Sequence, residues 1–190
     1  MRQNNEIIPL RRAHGLDGDV ELVTQDGISL GHISAAKAHT RPGALHRAFS
    51  IMLTDCSGRV CLQRRASSKE HWPGYLANTC CGHPRSQELL LTDAATRLEE
   101  ELGLHSPALH EVGRFVYWAQ DPESGAVEWE YDHVLIGVCQ DHNSLKPNPR
   151  EVEEVFWWTL DERAIGPFTP WLPLVLKTAV PFLSGLPNSP

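Results

Sequence analysis

The sequence predicts a mixed α/β sandwich, in which helices cover a mainly antiparallel or mixed β-sheet. Two observations predict this class: β-rich segments occur on both sides of one amphipathic helix, and turn signals separate neighbouring β-rich segments. The chain has 190 residues, of which 41% are hydrophobic and 22% are charged. This length and composition are typical of one soluble domain with a substantial core. We therefore expect a single domain over residues 1–190, with mobile tails at about 1–5 and 185–190.

The N-terminal half predicts two β-hairpins and one further short strand. In each hairpin, two β-rich segments flank a turn that contains a glycine, and an Asp-Gly pair is a strong signal for such a turn. The first hairpin has its strand, turn and strand at 20–23, 25–27 and 28–30. The second has the corresponding segments at 45–53, 55–58 and 60–63, and the short strand follows at 74–81.

The central helix is the best-defined element. It is predicted to begin at about Ser86 and to end before Gly103, because glycine readily adopts the left-handed conformation that closes a helix. Apolar residues with helical spacing predict the face toward the sheet: Leu91, Ala94, Ala95, Leu98 and Leu102. The charged residues of this segment are Glu88, Asp93, Arg97, Glu99, Glu100 and Glu101. By itself, such charge is typical of a solvated helix surface.

The C-terminal half predicts three more strands and a final helix. Segments 112–118 and 127–139 predict an antiparallel pair around the turn 121–125, and 154–160 predicts the last strand. The final helix is predicted at 170–183. The longest apolar stretch, 171–183, is interrupted by Pro173, Lys177 and Pro181 and is too short to span a bilayer, so no membrane association is expected.

Charge and cysteine content exclude several classes of function. The formal net charge is −7 and no run of Lys and Arg exceeds a pair, so no nucleic-acid-binding surface is predicted. Charged residues such as Arg2 and Glu6 interrupt the N-terminus, which therefore lacks the apolar core of a secretion signal. The five cysteines have no framework spacing, which indicates reduced thiols and a cytoplasmic location.

A thiol, an imidazole and several carboxylates occur in and after segment 78–84, Asn-Thr-Cys-Cys-Gly-His-Pro. Carboxylate oxygens suit Mg²⁺ and imidazole suits transition metals, so this combination predicts metal-assisted chemistry on a phosphate ester. Because side chains two apart share one face of a strand, Cys81 and His83 should point one way and Cys80 the other. We interpret Cys81 as the reactive thiol, against the alternative of a small buried hydrophobic residue.

The acidic helix and the turn before it resemble the Nudix box, G-x5-E-x7-R-E-U-x-E-E-x-G-U, in which U is aliphatic. The matching positions are Gly82, Glu88, Leu98, Glu100, Glu101, Gly103 and Leu104. Thr96-Arg97 replaces the Arg-Glu pair, whose Glu helps to hold the catalytic metals in Nudix hydrolases; this replacement argues against pyrophosphohydrolysis. The resemblance implies a Nudix-like mixed β-sheet sandwiched by helices.

Further motifs resemble one branch of that superfamily, type I isopentenyl diphosphate isomerase. They are Arg-Arg-Ala-Ser-Ser-Lys at 64–69, Trp-Pro-Gly at 72–74 and segment 78–84. The resemblance extends from about His39 to Trp171, roughly two-thirds of the chain. It implies an enzyme of isoprenoid biosynthesis that interconverts isopentenyl and dimethylallyl diphosphate, adding a proton at one face of the substrate and removing one at the other.

The resemblance also implies two metal sites. The ligands of one Mn²⁺, Mg²⁺ or Zn²⁺ ion would be His39, His46, His83, Glu128 and Glu130. Without the resemblance, the alternation around Glu128 and Glu130 is equally typical of an edge strand with one solvated face. Glu101 would hold a Mg²⁺ ion that binds together with the substrate diphosphate. Four other histidines are predicted to be ordinary surface residues: His71, His105, His110 and His142.

Three cations are assigned to the diphosphate by the same resemblance: Arg65, Lys69 and Arg97. Without it, the first two would be interpreted as part of a solvated hairpin edge. The family usually has a lysine four residues before the first metal-binding histidine. Here that position is Ala35, and the nearby Lys37 is left without an assigned role.

The implied reaction begins with protonation of an alkene, a very weak base, and therefore needs a strong acid in a dry pocket. The carboxyl of Glu130, polarised by the metal and helped by Tyr117, would deliver the proton and generate a tertiary carbocation. Cys81, as a thiolate across the substrate, would then remove a proton, and the two roles swap in the reverse reaction. Trp171 would stabilise the cation through its π-face, an effect of about 2 kcal/mol or more when desolvated.

Three alternatives remain open. The first is a Nudix hydrolase of nucleoside diphosphate derivatives, which Thr96-Arg97 opposes. The second is a non-enzymatic binding module of the same fold; the full set of candidate ligands opposes it, and Ala35 keeps it open. The third is a related isomerase of a longer prenyl diphosphate, which pocket volume would decide. The sequence leaves open the preferred direction, the identity of the metal, and whether the protein is a monomer or a homodimer.

Overall fold

The computed structural model describes residues 18–105, 108–162 and 166–183, so the predicted tails at 1–5 and 185–190 lie outside the described residues. The strands are β1 (Asp19–Val23), β2 (Ser29–Ser34), β3 (His46–Thr54), β4 (Val60–Arg65), β5 (Leu76–Ala77), β6 (Cys80–Gly82), β7 (His110–Gln120), β8 (Val127–Val138) and β9 (Val152–Trp158). The α-helices are α1 (Ala35–Ala38), α2 (Leu90–Leu102) and α3 (Leu172–Leu183). Short 3-10 turns occur at Gln87–Leu89 and His142–Ser144.

The strands of this part of the chain form one sheet. The sheet is mixed, because its central pair of strands is parallel while its other pairs are antiparallel. β3 pairs in parallel with β8, from His46 opposite Glu130 to Thr54 opposite Val138. β7 pairs with β8 in a long antiparallel hairpin, and β6 pairs antiparallel with β3. β4 pairs with β5 and β9, while the β1–β2 hairpin joins β3 at a single position, Leu22 opposite His46. The predicted fold class is therefore confirmed.

The predicted short strand at 74–81 is wrong in one respect, since the segment forms two strands, β5 and β6. They are separated at Asn78 and Thr79, whose side chains bond to neighbouring main chain. Asn78 Nδ2 donates to Ile51 O (3.1 Å), and Thr79 Oγ1 donates to Cys61 O (2.6 Å). These hydrogen bonds replace the regular β-ladder at the point where the chain leaves β4, the partner of β5, and joins β3, the partner of β6. The single turn α1 was not predicted either.

Helices α2 and α3 cover the two sides of the sheet, as the predicted sandwich requires. α2 buries Leu90, Ala94, Leu98 and Leu102 in one core cluster, and α3 contributes to a second cluster. Leu91, predicted to face the sheet, is instead 47% exposed. Leu90 takes its place because it lies one turn before Ala94 and continues the same row. Within the described ranges, no helix is long and apolar enough to cross a membrane.

The predicted end of α2 is confirmed, with Gly103 in the left-handed conformation at φ 65°. Its predicted start is wrong by one turn, because Gln87–Leu89 adopt a 3-10 conformation before the α-helix begins. Glu88, a matching position of the motif, therefore lies in that turn rather than in α2. The charged side of α2 is not fully solvated either, since Arg97 and Glu101 are buried.

A buried ion pair fixes the N-terminal hairpin and the turn before α2 to the sheet. Arg47 on β3 is 1% exposed, and its Nε donates to Glu21 Oε2 at 2.6 Å. Its Nη2 donates to Gly27 O, and its Nη1 reaches Gln87 Oε1 and His133 Nε2. One guanidinium thus joins β1, the first turn, β8 and the turn that leads into α2.

Gly82, the first residue of the motif, lies where β6 meets both β3 and α2. A Cβ atom at this position would come within 2.8 Å of Phe49 Cζ and 3.3 Å of Arg97 Cγ. We expect Gly82→Ala to lower the free energy of unfolding by about 1–3 kcal/mol, because an extra methyl group overpacks the contact. Urea unfolding followed by circular dichroism measures the loss. The double variant Gly82→Ala/Phe49→Leu should lose less than the sum of its single variants; a purely additive loss would contradict the clash.

Candidate metal centre and substrate pocket

A cavity of about 280 Å³ collects most of the predicted site residues. Those that line it are His39, Arg65, Lys69, Cys81, His83, Arg97, Tyr117, Glu128, Glu130 and Trp171. They come from four strands, from α2 and from the loops beside them. Two predicted residues, His46 and Glu101, do not line the cavity but contact residues that do. Lys37, the unassigned lysine, is exposed on α1 and does not line it.

Three imidazoles and two carboxylates converge at one end of this cavity. The candidate ligand atoms all lie within 4.8 Å of one another and belong to His39, His46, His83, Glu128 and Glu130. The parallel register of β3 and β8 sets His46 directly opposite Glu130. Glu128 lies two residues earlier on the same face of β8, while His39 follows α1 and His83 follows β6. These are the five residues that the sequence resemblance implied.

The hydrogen bonds of two histidines leave their Nε2 atoms available to a cation. His39 Nδ1 lies 2.7 Å from Ala35 O, and His46 Nδ1 lies 2.8 Å from Ala44 O. A carbonyl oxygen can only accept, so Nδ1 carries the hydrogen in both rings. In the neutral form of each ring, Nε2 therefore carries the lone pair and faces the centre, which is the usual arrangement for a metal-binding histidine.

The same Nε2 atoms lie close to atoms of the other candidate ligands. His46 Nε2 and His83 Nε2 are 3.2 Å apart, and His39 Nε2 lies 2.9 Å from Glu128 Oε2. Glu128 Oε2 is buried and receives no hydrogen bond of good geometry. A set of three imidazoles and two carboxylates suits a divalent cation, so the residues present fit the implied metal.

The ionisation of the histidines reflects this crowding. Burial together with the neighbouring His83 and His39 lowers the pKa of His46 to about 3, so this ring is neutral near pH 7. Burial opposes protonation of His39 as well, but the Glu128 carboxylate outweighs it and raises the pKa of His39 to about 9.

Glu130 belongs to both the metal centre and the cavity. Its Oε1 lies 3.0 Å from His83 Nε2, and its Oε2 accepts a hydrogen bond of 2.7 Å from Tyr117 Oη. Burial and the nearby Glu128 raise the pKa of Glu130. Burial and Glu130 hold the pKa of Tyr117 well above its usual range, so this hydroxyl remains a donor. Burial and Glu128 therefore shift the equilibrium of Glu130 toward its protonated form, beside the substrate space.

Cys81 faces the cavity and Cys80 faces the core under α2, as strand alternation predicts. The Cys81 thiol lies 3.1 Å from Asn78 Oδ1 and 3.7 Å from Ser50 Oγ. Burial, assisted by the Asp132 carboxylate, raises the pKa of Cys81 to about 12. Burial thus favours the thiol form of Cys81 over the thiolate.

Asn78 is a functional candidate that sequence reasoning did not single out, although it begins segment 78–84. Its Oδ1 accepts from the Cys81 thiol and also from Trp171 Nε1, at 3.1 Å in both cases. Trp72 packs edge-on against Trp171 with ring centroids 5.1 Å apart. One amide thus orients both Cys81 and Trp171, and it does so from the irregular step between β5 and β6.

The three predicted phosphate-binding cations lie on the wall of the same cavity. Arg97 Nη2 is 2.5 Å from Glu101 Oε1 and 2.9 Å from Glu151 Oε2, and Lys69 also pairs with Glu151. Glu101, expected to hold Mg²⁺, is thus paired with Arg97. Glu151 was missed because it lies just before β9, outside every motif. The third cation, Arg65, lies with its guanidinium carbon 5.6 Å from the ring centre of Trp171.

His71 is the main correction to the predicted surface histidines. It is only 8% exposed, and its Nδ1 lies 2.9 Å from Glu128 Oε1. A lone histidine in a loop carries no periodic signal, so the only available clue was the adjacent Trp-Pro-Gly sequence. His105 and His110 are exposed as predicted. His142 is half-buried and stacks on Trp157, so that prediction also needs correction.

Known proteins resemble this chain in sequence over most of its length. Residues 44–178 match the NUDIX domain family. A protein of Nocardia farcinica named isopentenyl-diphosphate Delta-isomerase is 48% identical over 166 residues, which cover 84% of this chain and 93% of the relative. A protein of the same name from Streptomyces griseus is 44% identical over 171 residues, covering 88% of this chain and 86% of the relative.

Solved structures with lower identity share the fold. DR0079 from Deinococcus radiodurans gives a TM-score of 0.62 at 17% identity and covers 84% of this chain and 98% of its own. A MutT protein from Methanosarcina mazei gives a TM-score of 0.57 at 15% identity and covers 70% of this chain and 91% of its own. At these identities the likeness bears on the fold alone.

Proposed function

Because this chain belongs to the Nudix family and, within it, to the isopentenyl-diphosphate Delta-isomerases, we propose that the cavity described above is its active site. The enzyme interconverts isopentenyl and dimethylallyl diphosphate, a step of isoprenoid biosynthesis. The observation that carries the assignment of the site is the position of Glu130. It adjoins His83 through one oxygen and Tyr117 through the other, in the same cavity as Cys81.

The diphosphate would bind along the wall formed by Arg65, Lys69 and Arg97. Glu151 pairs with Lys69 and Arg97, so a diphosphate that binds these cations has to compete with its carboxylate. Glu101 is the carboxylate assigned to a Mg²⁺ ion that arrives with the diphosphate. The prenyl group would then extend toward Trp171, whose ring is 4% exposed and fixed by Asn78.

The three histidines and two glutamates would hold one Mn²⁺, Mg²⁺ or Zn²⁺ ion. When bound, a divalent cation supplies positive charge that polarises the carboxyl group of Glu130. The protein supplies the orientation. The carbonyls of Ala35 and Ala44 hold two imidazoles from behind, and Tyr117 holds the outer oxygen of Glu130.

Proton transfer in the proposed mechanism uses two residues of the cavity. The O–H bond of Glu130 breaks, and its proton forms a C–H bond with the terminal alkene carbon, leaving a tertiary carbocation. Cys81 then takes a proton from the carbon next to the diphosphate-bearing methylene, and the electrons of that C–H bond form the new double bond. Trp171 stabilises the intermediate cation. Cys81 is the base, as a thiolate, in this direction and the acid, as a thiol, in the reverse direction, in which Glu130 is the base.

We expect the purified protein with isopentenyl diphosphate, Mg²⁺ and Mn²⁺ in D₂O to form dimethylallyl diphosphate that carries deuterium in a methyl group. The deuteron should enter there because the solvent exchanges with the acid that protonates the alkene. Proton NMR follows both the product and the position of the label.

Other outcomes of this experiment have distinct meanings. Unchanged substrate in protein that has bound metal would contradict the proposed activity and favour a longer prenyl substrate or a binding module. Release of phosphate or pyrophosphate would instead indicate a hydrolase.

We also propose a cytoplasmic location, because all five cysteines are free, as in proteins of reducing compartments.

A further inference from the structure

His71 is a buried imidazole beside the metal centre to which neither the sequence resemblance nor the proposed mechanism gives a role. Its Nδ1 lies 2.9 Å from Glu128 Oε1, and its ring centroid lies 5.0 Å from that of His39. A carboxylate oxygen can only accept, so His71 Nδ1–H is the donor. His71 does not belong to the described group of convergent ligand atoms. It therefore contacts a candidate ligand without being one.

The two oxygens of Glu128 consequently have different environments. Oε1 is held by His71, whereas Oε2 is the oxygen that lies 2.9 Å from His39 Nε2. Oε2 is also the buried atom that receives no hydrogen bond of good geometry. The contact from His71 thus fixes the rotation of the carboxylate and leaves Oε2 turned toward His39, one of the candidate ligands.

Hydrogen bonds fix the main chain around His71, and this keeps its imidazole in place against Glu128. Arg65 donates to His71 O from both Nε (3.0 Å) and Nη2 (2.7 Å). The next residue, Trp72, has φ 45°, a conformation that side-chain-bearing residues rarely adopt, and its N–H donates to Asp121 Oδ2 at 3.1 Å. Arg65 also lines the cavity on the diphosphate side, so the same loop adjoins both the metal centre and the proposed phosphate wall.

From these contacts we infer that His71 is a positioning residue of the metal centre, which holds Glu128 so that Oε2 alone is presented to the cation. This inference rests on the proposed metal site. When a residue that hydrogen-bonds to a metal ligand is removed, metal affinity typically falls by about 10–100-fold. The effect arises because an unheld carboxylate must give up rotational freedom when it binds the ion.

The test is Mn²⁺ binding to the purified protein without substrate, measured from the free-ion signal in electron paramagnetic resonance. We expect His71→Ala to weaken Mn²⁺ binding by about 10–100-fold. His71→Gln should recover most of the affinity, because its amide N–H can donate to Glu128 Oε1. Thermal unfolding of the same samples reports stability separately.

A matched control is His133→Ala. His133 is another buried histidine that also faces a carboxylate, since its Nδ1 lies 2.9 Å from Glu111 Oε1. Its Nε2 contacts Arg47 and its ring packs against Tyr131, on the face of β8 opposite to Glu128 and Glu130. We expect this variant to lose thermal stability while it keeps wild-type Mn²⁺ affinity. A general loss of packing would lower the affinity of both variants alike and would overturn the inference.

The remaining outcomes separate this inference from the proposed function. Wild-type affinity in His71→Ala would overturn the role of His71 while the metal site stands. Equal Mn²⁺ binding by the wild type and His83→Ala would instead show that the metal site itself is wrongly assigned. If His71→Ala does not fold, His71→Leu and His71→Gln provide the comparison. Both variants keep a side chain of some bulk, but only Gln keeps an N–H that can donate to Glu128 Oε1. Equal Mn²⁺ affinities of these two variants would also overturn the inference.

Discussion

Cys81→Ala is expected to lower kcat for isomerisation by about 10²–10⁴-fold, because the variant lacks one of the two groups that transfer a proton. Metal binding should be unchanged, since Cys81 lines the cavity without belonging to the described group of convergent ligand atoms. The NMR assay gives turnover, and metal analysis of the same sample gives the stoichiometry. Ordinary turnover by this variant would show that the acid–base assignment is wrong.

The neighbouring cysteine provides the control. Cys80 is fully buried and belongs to the core cluster under α2, on the other side of the strand from the cavity. Cys80→Ala should cost some stability through lost packing and leave kcat close to that of the wild type. Comparison of these two variants isolates the thiol that faces the cavity from a general effect of removing a cysteine.

His83→Ala is expected to lose both the metal and turnover. Its Nε2 lies 3.2 Å from His46 Nε2 and 3.0 Å from Glu130 Oε1, at the centre of the candidate ligand set. Removal of a residue that only supports a metal ligand lowers metal affinity by about 10–100-fold. Removal of the ligand itself should lower metal affinity further. Mn²⁺ titration measures the affinity, and the NMR assay at matched metal concentration measures turnover.

His105→Ala serves as the control for this prediction. The His105 side chain is 78% exposed and lies 3.1 Å from Glu99 at the end of α2, so its loss should change neither property. Retention of wild-type metal affinity by His83→Ala would remove His83 from the ligand set. The contrast between Cys81→Ala, which keeps metal, and His83→Ala, which loses it, separates proton transfer from metal binding.

Several parts of the site follow from local sequence patterns. Strand alternation alone sets Cys81 and Cys80 on opposite faces and Glu128 and Glu130 on the same face. The end of α2 at Gly103 follows from the conformational freedom of glycine. The family resemblance then supplied His39 and the other ligands, which the structure brings together within 4.8 Å.

Other parts depend on contacts between distant segments. The parallel pairing of β3 with β8, which sets His46 opposite Glu130, is not encoded in the period of either strand. Glu151 reaches Arg97 only because β9 follows it and pairs with β4. Even the face of α2 toward the sheet needed the structure, since Leu90 and Leu91 fit helical spacing almost equally.

The class of fold and the order of most elements follow from local periodicity and turn residues. The identity of the proposed ligands and proton-transferring groups follows from the family resemblance, which rests on motifs of fixed spacing. Only the folded chain shows that His71 is buried against Glu128 and that Glu151 pairs with Lys69 and Arg97. These contacts join loops to distant strands, and a loop residue acquires its partners only when the sheet register brings the segments together.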